Sequence, residues 1–333
     1  MSHQAYHFSE KERLSEVPSR VKQILKESKI CENVINRVHL IASELISNLE
    51  KYSDQSAEVY LFLWDWEDTV LVDIFSMDRG PGVADLDDAL EDKSPKSESL
   101  GIGLGIIERQ ADEWDIYSRP EVGTVVFSRV YAKGVDEDDF KNIQLGAALQ
   151  PCQGEKVSGD SWAYVAGDDL HLFISDGLGH GQQALAATDK AVDFFRRSCE
   201  LSEAQFFSEL HRELRKTRGV VAARCKIDPA KEQFICSGVG NIEGKLNKND
   251  ANTPIFFKGG TVGYRERSPR TIKTTWENDA ELFLHTDGIK STWNLEDYPE
   301  IDDCHVAIKS ALLVRDFGRP KDDSLVVCAR RQT

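Results

Sequence analysis

The sequence predicts a two-domain α+β protein, in which helices pack on one face of a mostly antiparallel sheet and a β-rich sandwich flanked by helices follows. The chain has 333 residues, whereas a typical single domain has roughly 100–200. Glycine is absent from residues 1–79 and becomes common after residue 133. Apolar residues follow helical and strand periodicities in both parts, and the acidic residues 135–139 separate them.

The first part is predicted to combine one long helix with a sheet. Apolar residues recur at helical spacing through residues 31–51, which predicts an amphipathic helix with Glu44 and Asn48 one turn apart beside a cleft. A second helix is expected at about residues 104–112. Runs rich in branched and aromatic residues predict strands at residues 58–64, 69–77, 113–118 and 124–131.

The second part alternates short strands with a long helical block. Helices are predicted at residues 184–199 and 203–216. Strands are predicted at residues 162–165, 170–175, 220–227, 233–237, 281–286 and 324–330. The expected organisation is therefore a first domain at residues 1–133, an acidic linker at 134–150 and a second domain at 151–331.

Composition excludes several classes of function. The net charge of −16 argues against binding to nucleic acid or to an anionic membrane. No stretch approaches the roughly 18–20 apolar residues of a membrane span, and the first residues lack the apolar core of a signal peptide, so a cytoplasmic protein is expected. The seven cysteines show no CxxC spacing, which predicts thiols rather than disulfides or a zinc site.

Two glycine clusters in the first part are typical of a nucleotide cleft. Gly80 and Gly82 follow a predicted strand, and Gly101, Gly103 and Gly105 precede or open a predicted helix. Glycine allows the backbone to approach phosphate closely, and a helix N-terminus offers free amide groups to an anion. Asp78 can accept a hydrogen bond from an exocyclic amine, and Asn48 can supply an oxygen ligand to Mg²⁺. Ordinary turns are the alternative interpretation.

This order of motifs, completed by Gly123 and Thr124 before the last strand, resembles the Bergerat ATP-binding fold of the GHKL superfamily across residues 30–131. Within it, the part is most similar to the RsbT and RsbW type of serine/threonine kinase and anti-sigma factor. The resemblance implies ATP and Mg²⁺ as cofactors, with Glu44 as general base. It assigns nucleotide contacts to Asn48, Asp78, Gly80, Gly82, Gly101, Gly103, Leu104, Gly105 and Thr124.

Four aspartates in the second part stand at the ends of predicted strands. They are Asp160, Asp176, Asp287 and Asp322. An Asp-Gly pair is by itself a common turn signal, but carboxylates that converge on one rim of a sheet require cations. Carboxylate oxygens without His or Cys ligands favour Mg²⁺ or Mn²⁺, and two such ions can activate water for attack on a phosphate ester.

The segments SGDSW, SDGLGHG, HTDGI and KDDSLVV, in this order, resemble the metal-dependent PPM phosphatases of the SpoIIE and RsbX branch. The resemblance implies that Asp176 bridges two metals, that the Gly177 carbonyl contacts one of them, and that Asp287 and Asp322 hold the other. Asp160 would bind a metal or its water. Asp323 and His180 are less favoured. Lys156, Arg218 and Arg224 remain open as phosphate-binding residues.

A kinase-like and a phosphatase-like domain in one chain predict a bifunctional regulator of protein phosphorylation. The family resemblance implies bacterial partner switching, with a STAS-domain anti-sigma antagonist or stress-complex protein as substrate and a sigma factor as a further partner. The competing interpretation is a binding module, in which ATP controls sequestration of a partner or the activity of the attached phosphatase without phosphoryl transfer.

Overall fold

The computed structural model describes residues 4–9, 14–53, 57–66, 69–83, 86, 100–133, 143–248, 251–265 and 267–331. The chain divides into two compact units. The first contains His3–Val135 together with Tyr298–Ile308. The second contains Asp136–Asp297 and Lys309–Thr333, and the first two residues of the chain are grouped with it. None of the helices within the described ranges is both long and apolar enough to span a membrane.

The first unit is an antiparallel sheet with helices on one face, as predicted. Its strands are β1 (Gln4–Ser9), β2 (Glu58–Trp66), β3 (Thr69–Met77), β4 (Glu113–Arg119) and β5 (Gly123–Lys133), in the order β1-β2-β3-β5-β4. Its helices are α1 (Val17–Glu27), α2 (Glu32–Tyr52) and α3 (Leu100–Gln110). The core lies between these layers, where Val38 and Leu45 of α2 pack with Leu61 of β2.

The period-two alternation of the strands separates the two faces of this sheet. Val72 and Ile74 of β3 join the helical core, whereas Phe75 contacts Phe127 on the opposite face with ring centroids 5.1 Å apart. His305, from the segment Tyr298–Ile308, stacks on Phe127 at 4.7 Å. The first unit therefore includes a piece of chain that is remote in sequence, which the sequence analysis did not predict.

The second unit contains two antiparallel sheets of five strands. One has the order β13-β10-β9-β8-β7, from β7 (Asp160–Ala166), β8 (Leu170–Gly177), β9 (Val220–Asp228), β10 (Gln233–Val239) and β13 (Arg270–Thr275). The other has the order β12-β11-β14-β15-β6, from β6 (Ile143–Gln150), β11 (Glu243–Lys248), β12 (Ala251–Phe256), β14 (Glu281–His285) and β15 (Ser324–Arg331). The helices are α4 (Gln182–Ser198), α5 (Glu203–Leu214) and α6 (Val306–Phe317), of which the part from Lys309 onward belongs to this unit. Helix α4 packs on β7 and β8.

Strands β11, β12 and β13 and helix α6 were not predicted, and two further features of the second unit differ from the sequence analysis. Residues 143–150, assigned there to the acidic linker, form β6 and pair with β15. Small side chains such as Ala147 and Ala148 give this strand no clear hydrophobic periodicity in the sequence, although both are fully buried. Cys225 and Cys236, expected as thiols, form a disulfide, because the register of β9 and β10 places them directly opposite each other.

Candidate functional sites

In the first unit, helix α3 packs on the part of α2 that carries Glu44 and Asn48. A Cβ atom at Gly103 would lie 3.0 Å from Glu44 Oε2 and 3.3 Å from Asn48 Oδ1, so the close approach of the helices depends on glycine. The Nδ2 group of Asn48 is buried and has no hydrogen-bond partner among the residues that the structure describes. An unpaired buried amide is costly, which makes Asn48 a candidate ligand-binding side chain.

The other side of this region is a turn organised by Asp78. Its Oδ1 atom accepts hydrogen bonds from the backbone N–H of Gly80 at 2.7 Å and of Thr124 at 3.3 Å. Gly82 and Gly123 have φ angles of +68° and +88°, and a Cβ at either position would collide with backbone atoms. A Cβ at Gly80 would lie 3.3 Å from the carbonyl oxygen of Tyr52, the last residue of α2, so this turn lies beside the end of that helix.

Four predicted nucleotide-binding residues lie in the first two turns of helix α3. Helix α3 begins at Leu100 rather than near residue 104, so Gly101, Gly103 and Gly105 lie within its first two turns. The side chain of Leu104 is fully buried in the helical core and leaves only its backbone for a ligand. Sequence reasoning missed Ser118, whose hydroxyl is 2.8 Å from Thr124 Oγ1 and accepts from Val83 N.

In the second unit, the register of β7 and β8 places Asp160 directly opposite Asp176. Asp160 is 1% exposed, and its Oδ2 atom accepts a hydrogen bond of 2.7 Å from Thr286 Oγ1. Thr286 precedes Asp287, and its hydroxyl also accepts from Leu325 N at 3.1 Å. Thr286 thus ties the strand ends of both sheets together at the predicted carboxylate rim.

The predicted carboxylates influence one another electrostatically. Burial raises the pKa of Asp160 well above its usual range, and the charge of Asp176 raises it further. Burial, the charges of Asp287 and Asp322, and a hydrogen bond shared with Asp287 raise the pKa of Asp176 to about 8. Burial and Asp287 also raise the pKa of Asp322. Such mutual repulsion is expected where anionic side chains are gathered for a cation.

The neighbouring glycines and Asp323 shape this rim. A Cβ at Gly177 would lie 2.6 Å from the carbonyl oxygen of Ala184, and one at Gly288 would lie 1.8 Å from that of Asp323. The carboxylate of Asp323 accepts from the backbone N–H of Cys152 and of Gly159, both at 2.8 Å. Since each carboxylate oxygen of Asp323 already accepts a hydrogen bond from a backbone N–H group, the geometry supports a structural role for this residue.

The basic residues considered as phosphate contacts differ in their surroundings. The structure also shows one site residue that the sequence analysis did not name. Arg224 is 4% exposed and lies over Phe206, 4.8 Å from the ring centroid, among the helices. Arg218 is exposed, and its Nη1 atom is 3.5 Å from the carbonyl oxygen of Leu178, two residues after Asp176. Asn241 was not singled out, yet its Nδ2 atom donates to Asp287 Oδ2 at 2.6 Å. No local motif marks this contact, because it joins residues from two separate loops.

Lys156 is exposed, and the structure gives it no distinguishing contact among the described residues. His180 Nδ1 is 2.6 Å from a carboxylate oxygen of Glu155, so this exposed imidazole already has a partner. Neither observation favours the two residues over Arg218 as phosphate contacts.

The donor set fits a hard divalent cation. Within the described residues, no three His, Cys, Asp or Glu side chains are already gathered as a metal-binding group. Instead, Asp160 lies directly opposite Asp176, and the charges of Asp287 and Asp322 act on Asp176. Carboxylate oxygens without imidazole or thiolate partners are the ligands that Mg²⁺ and Mn²⁺ prefer.

Comparisons with known proteins give a family match for each of the two parts of the chain. Residues 8–129 match the family model described as "Histidine kinase-like ATPase domain", and residues 166–332 match "Stage II sporulation protein E (SpoIIE)". A solved structure described as "The bacterial stressosome: a modular system that has been adapted to control secondary messenger signaling" is 27% identical, with a TM-score of 0.53, covering 56% of this chain and 99% of that one. RsbX in complex with magnesium is 20% identical, with a TM-score of 0.52, covering 58% and 96%. No curated protein matches the sequence.

Proposed function

The chain belongs to the family of Stage II sporulation protein E (SpoIIE), a family of PPM phosphatases, and from this premise we propose that its second unit removes phosphate from serine or threonine of a protein in a Mg²⁺- or Mn²⁺-dependent reaction. The observation that carries the proposal is the pairing of Asp160 with Asp176 across β7 and β8, with Asp160 hydrogen-bonded to Thr286, the neighbour of Asp287. A bound cation stabilises buried carboxylates of like charge.

The chain's own residues have distinct tasks in this proposal. Asp176 would bridge two cations, Asp287 and Asp322 would hold one of them, and the Gly177 carbonyl would contact the other. Asp160, oriented by Thr286, would bind a cation or its water. Bound Mg²⁺ or Mn²⁺ supplies the charge that activates water and stabilises the phosphoryl oxygens. Asn241 orients Asp287 through a hydrogen bond of 2.6 Å.

Substitution of Asp176 tests this proposal. We expect Asp176→Asn to lower the rate of p-nitrophenyl phosphate hydrolysis with Mn²⁺ by about 10³-fold or more, since a bridging carboxylate positions both cations and the attacking water. Calorimetry should show that Asp176→Asn binds Mn²⁺ more weakly than the wild type does. Asp168→Asn, in the exposed β7–β8 turn, is the matched control and should change neither quantity. Full activity in EDTA or in Asp176→Asn would refute the metal assignment.

For the first unit, we propose binding of ATP with Mg²⁺ and transfer of phosphate to serine or threonine, with Glu44 as general base. The approach of Gly103 to both Glu44 and Asn48 supports this proposal, as does the match of residues 8–129 to an ATPase domain. Asp78 would accept a hydrogen bond from the adenine amine, and Asn48 would hold Mg²⁺.

Calorimetry with ATP and GTP tests the nucleotide proposal. Asn48→Ala should weaken Mg²⁺–ATP binding about tenfold or more, because it removes an oxygen ligand of the cation. Asp78→Asn should instead reduce the preference for ATP over GTP, because one of the two acceptor oxygens becomes an NH₂ donor while the other is already used by the N–H groups of Gly80 and Thr124. Wild-type protein that binds no ATP at millimolar concentration would contradict both the kinase and the ATP-regulated interpretations.

We propose that both units act on a STAS-domain anti-sigma antagonist or stress-complex protein, within a partner-switching system. The likeness to a bacterial stressosome structure supports this assignment. The second interpretation, an ATP-controlled module that regulates the phosphatase or sequesters a sigma factor, is favoured by one observation. The segment Tyr298–Ile308, which follows Asp287 closely in sequence, belongs to the first unit. Transfer of labelled phosphate from ATP to the partner would support the kinase proposal, and its absence would support the ATP-controlled interpretation.

A further inference from the structure

A basic segment interrupts this acidic chain in the second unit. Residues 258–273 contain five cations and one acidic residue, whereas the chain as a whole has a net charge of −16. The cations are Lys258, Arg265, Arg267, Arg270 and Lys273. We refer to residues 258–273 as the basic segment. It begins after β12 and includes the first four residues of β13.

The backbone of the basic segment is bonded to the neighbours of the predicted metal ligands. At its start, the carbonyl oxygen of Lys258 accepts from Gly240 N at 2.8 Å, and the adjacent Asn241 donates to Asp287. Farther along, Val262 and Val220 exchange two backbone hydrogen bonds of 2.8 and 3.0 Å. Val220 in turn pairs with Gly177, the residue after Asp176. The basic segment therefore borders the carboxylate rim at two points.

The side chains of the basic segment are available to a partner. Arg265, Arg267 and Lys258 are exposed, and none of the described residues forms an ion pair with them. Tyr264 between them is 86% exposed. Arg270 lies 3.9 Å from the ring centroid of Phe256, which is itself 49% exposed. Cations combined with exposed aromatic rings are typical of surfaces that recognise anionic protein segments.

We propose that the basic segment docks an acidic segment of the phosphoprotein substrate, so that the phosphatase prefers phosphoserine or phosphothreonine flanked by Asp and Glu. The inference rests on the proposed phosphatase function and specifies its substrate class. Elsewhere the acidic chain repels such a substrate, and cations at the rim of the site attract it and raise its local concentration. Arg218, beside Leu178, extends the same positive surface to the rim itself.

Peptide binding tests the docking surface without requiring turnover. Two fluorescent phosphothreonine peptides, one flanked by Glu and one by Lys, are titrated with the full chain carrying Asp176→Asn, and anisotropy is recorded. We expect the acidic peptide to bind about tenfold tighter or more at low salt, with the difference shrinking as salt is raised. Adding Arg265→Glu with Arg267→Glu should abolish or reverse the preference, and Arg265→Ala with Arg267→Ala should reduce it.

The matched control is Lys22→Glu with Lys26→Glu on α1 of the first unit, which changes the net charge by the same amount. It should preserve the preference, and circular dichroism should show that all variants are folded. Equal binding of the two peptides, or equal effects of the arginine and lysine variants, would overturn the inference.

Hydrolysis by the wild-type chain with Mn²⁺ separates this inference from the function on which it rests. If the chain hydrolyses both peptides with equal kcat/KM, the docking inference is wrong and the phosphatase proposal stands. If it binds the acidic peptide selectively but hydrolyses neither peptide nor p-nitrophenyl phosphate, the phosphatase proposal is wrong and the anion-binding surface remains. A higher kcat/KM for the acidic peptide supports both.

Discussion

Buried charged side chains have opposite partners in the first unit and like-charged neighbours in the second. In the first unit, the guanidinium of Arg129, which is 2% exposed, donates to both carboxylate oxygens of Asp73 at 2.7 and 2.9 Å. Trp64 Nε1 donates to the same carboxylate at 2.7 Å. In the second unit, burial and the charge of Asp176 raise the pKa of Asp160. A buried charge with an opposite partner is stabilised within the fold, whereas like charges side by side raise each other's pKa.

Glu113 gives a prediction for the pH dependence of stability. Burial raises its pKa, but Arg129 and hydrogen bonds from His305 and Tyr131 outweigh burial and lower the pKa from 4.5 to about 2. A lowered carboxyl pKa stabilises the folded state above the unfolded pKa, and this stabilisation is lost as pH falls from about 4.5 towards 2. Glu113→Gln should therefore lower the free energy of unfolding by on the order of 2 to 3 kcal/mol at pH 7.

Urea unfolding of the wild type and Glu113→Gln at pH 7 and pH 3 measures this effect. The gap between the two proteins should narrow at pH 3, where the unfolded wild-type carboxyl is already protonated. Glu108→Gln, on the exposed side of α3, is the control and should differ little from wild type at either pH. A gap that is independent of pH would show that Glu113 stabilises the unit by packing rather than by charge.

At the scale of elements, two glycines of one helix predict opposite effects of the same substitution. Gly103→Ala places a Cβ 3.0 Å from Glu44 Oε2 and 3.3 Å from Asn48 Oδ1, which forces α3 away from α2. At Gly105, the nearest atom to a Cβ is the Nη1 atom of Arg109 at 3.3 Å, the far end of a flexible side chain. Gly105→Ala should therefore stabilise the helix by up to about 1 kcal/mol.

Thermal unfolding and ATP calorimetry check this pair. Gly103→Ala should weaken ATP binding about tenfold or more, because Glu44 and Asn48 must shift, and it should leave p-nitrophenyl phosphate hydrolysis unchanged. Gly105→Ala, whose Cβ would meet only the far end of the Arg109 side chain, should weaken ATP binding less than Gly103→Ala does. Similar nucleotide affinities in the two variants would mean that the contact between α2 and α3 does not form the nucleotide site.

At the scale of the whole molecule, two sites on one polypeptide act at a high effective concentration around a common partner. We therefore predict separable variants. Glu44→Gln or Asn48→Ala should leave the partner dephosphorylated, whereas Asp176→Asn or Asp287→Asn should leave it phosphorylated. A phosphate-affinity gel of the STAS protein, from cells carrying each variant, distinguishes these outcomes.

A different outcome would select the regulatory interpretation. If the Glu44 and Asn48 variants alter the rate of dephosphorylation but phosphate never appears on the partner in any variant, the first unit is an ATP-controlled regulator of the phosphatase. The segment Tyr298–Ile308 is then the natural place to look for coupling. In the first unit, His305 N donates to Asp115 Oδ2 at 2.6 Å, and Tyr117 donates its hydroxyl proton to the Pro299 carbonyl at 3.2 Å.

The sequence by itself determined most of the secondary structure and the family of the second domain. Helix α2 and strand β3 lie within one residue of their predicted bounds, because hydrophobic periodicity is a local property of the chain. The strands at residues 4–9, 143–150, 243–248, 251–256 and 270–275 were missed, since small or polar residues there give little periodic signal. The helices at residues 17–27 and 306–317 were not predicted either. The match of residues 166–332 to the SpoIIE family confirms the predicted family of the second domain, and the metal-binding roles of the aspartates stay a prediction.

Only the tertiary structure decided which of these residues meet. Register places Asp160 opposite Asp176 and Cys225 opposite Cys236, and a shift of one residue would send each side chain to the other face of its sheet. Asn241 reaches Asp287 from a separate loop. Tyr298–Ile308 joins the first unit although its sequence neighbours belong to the second. Such contacts depend on long-range packing and strand pairing, which leave no local pattern in the sequence from which they could be predicted.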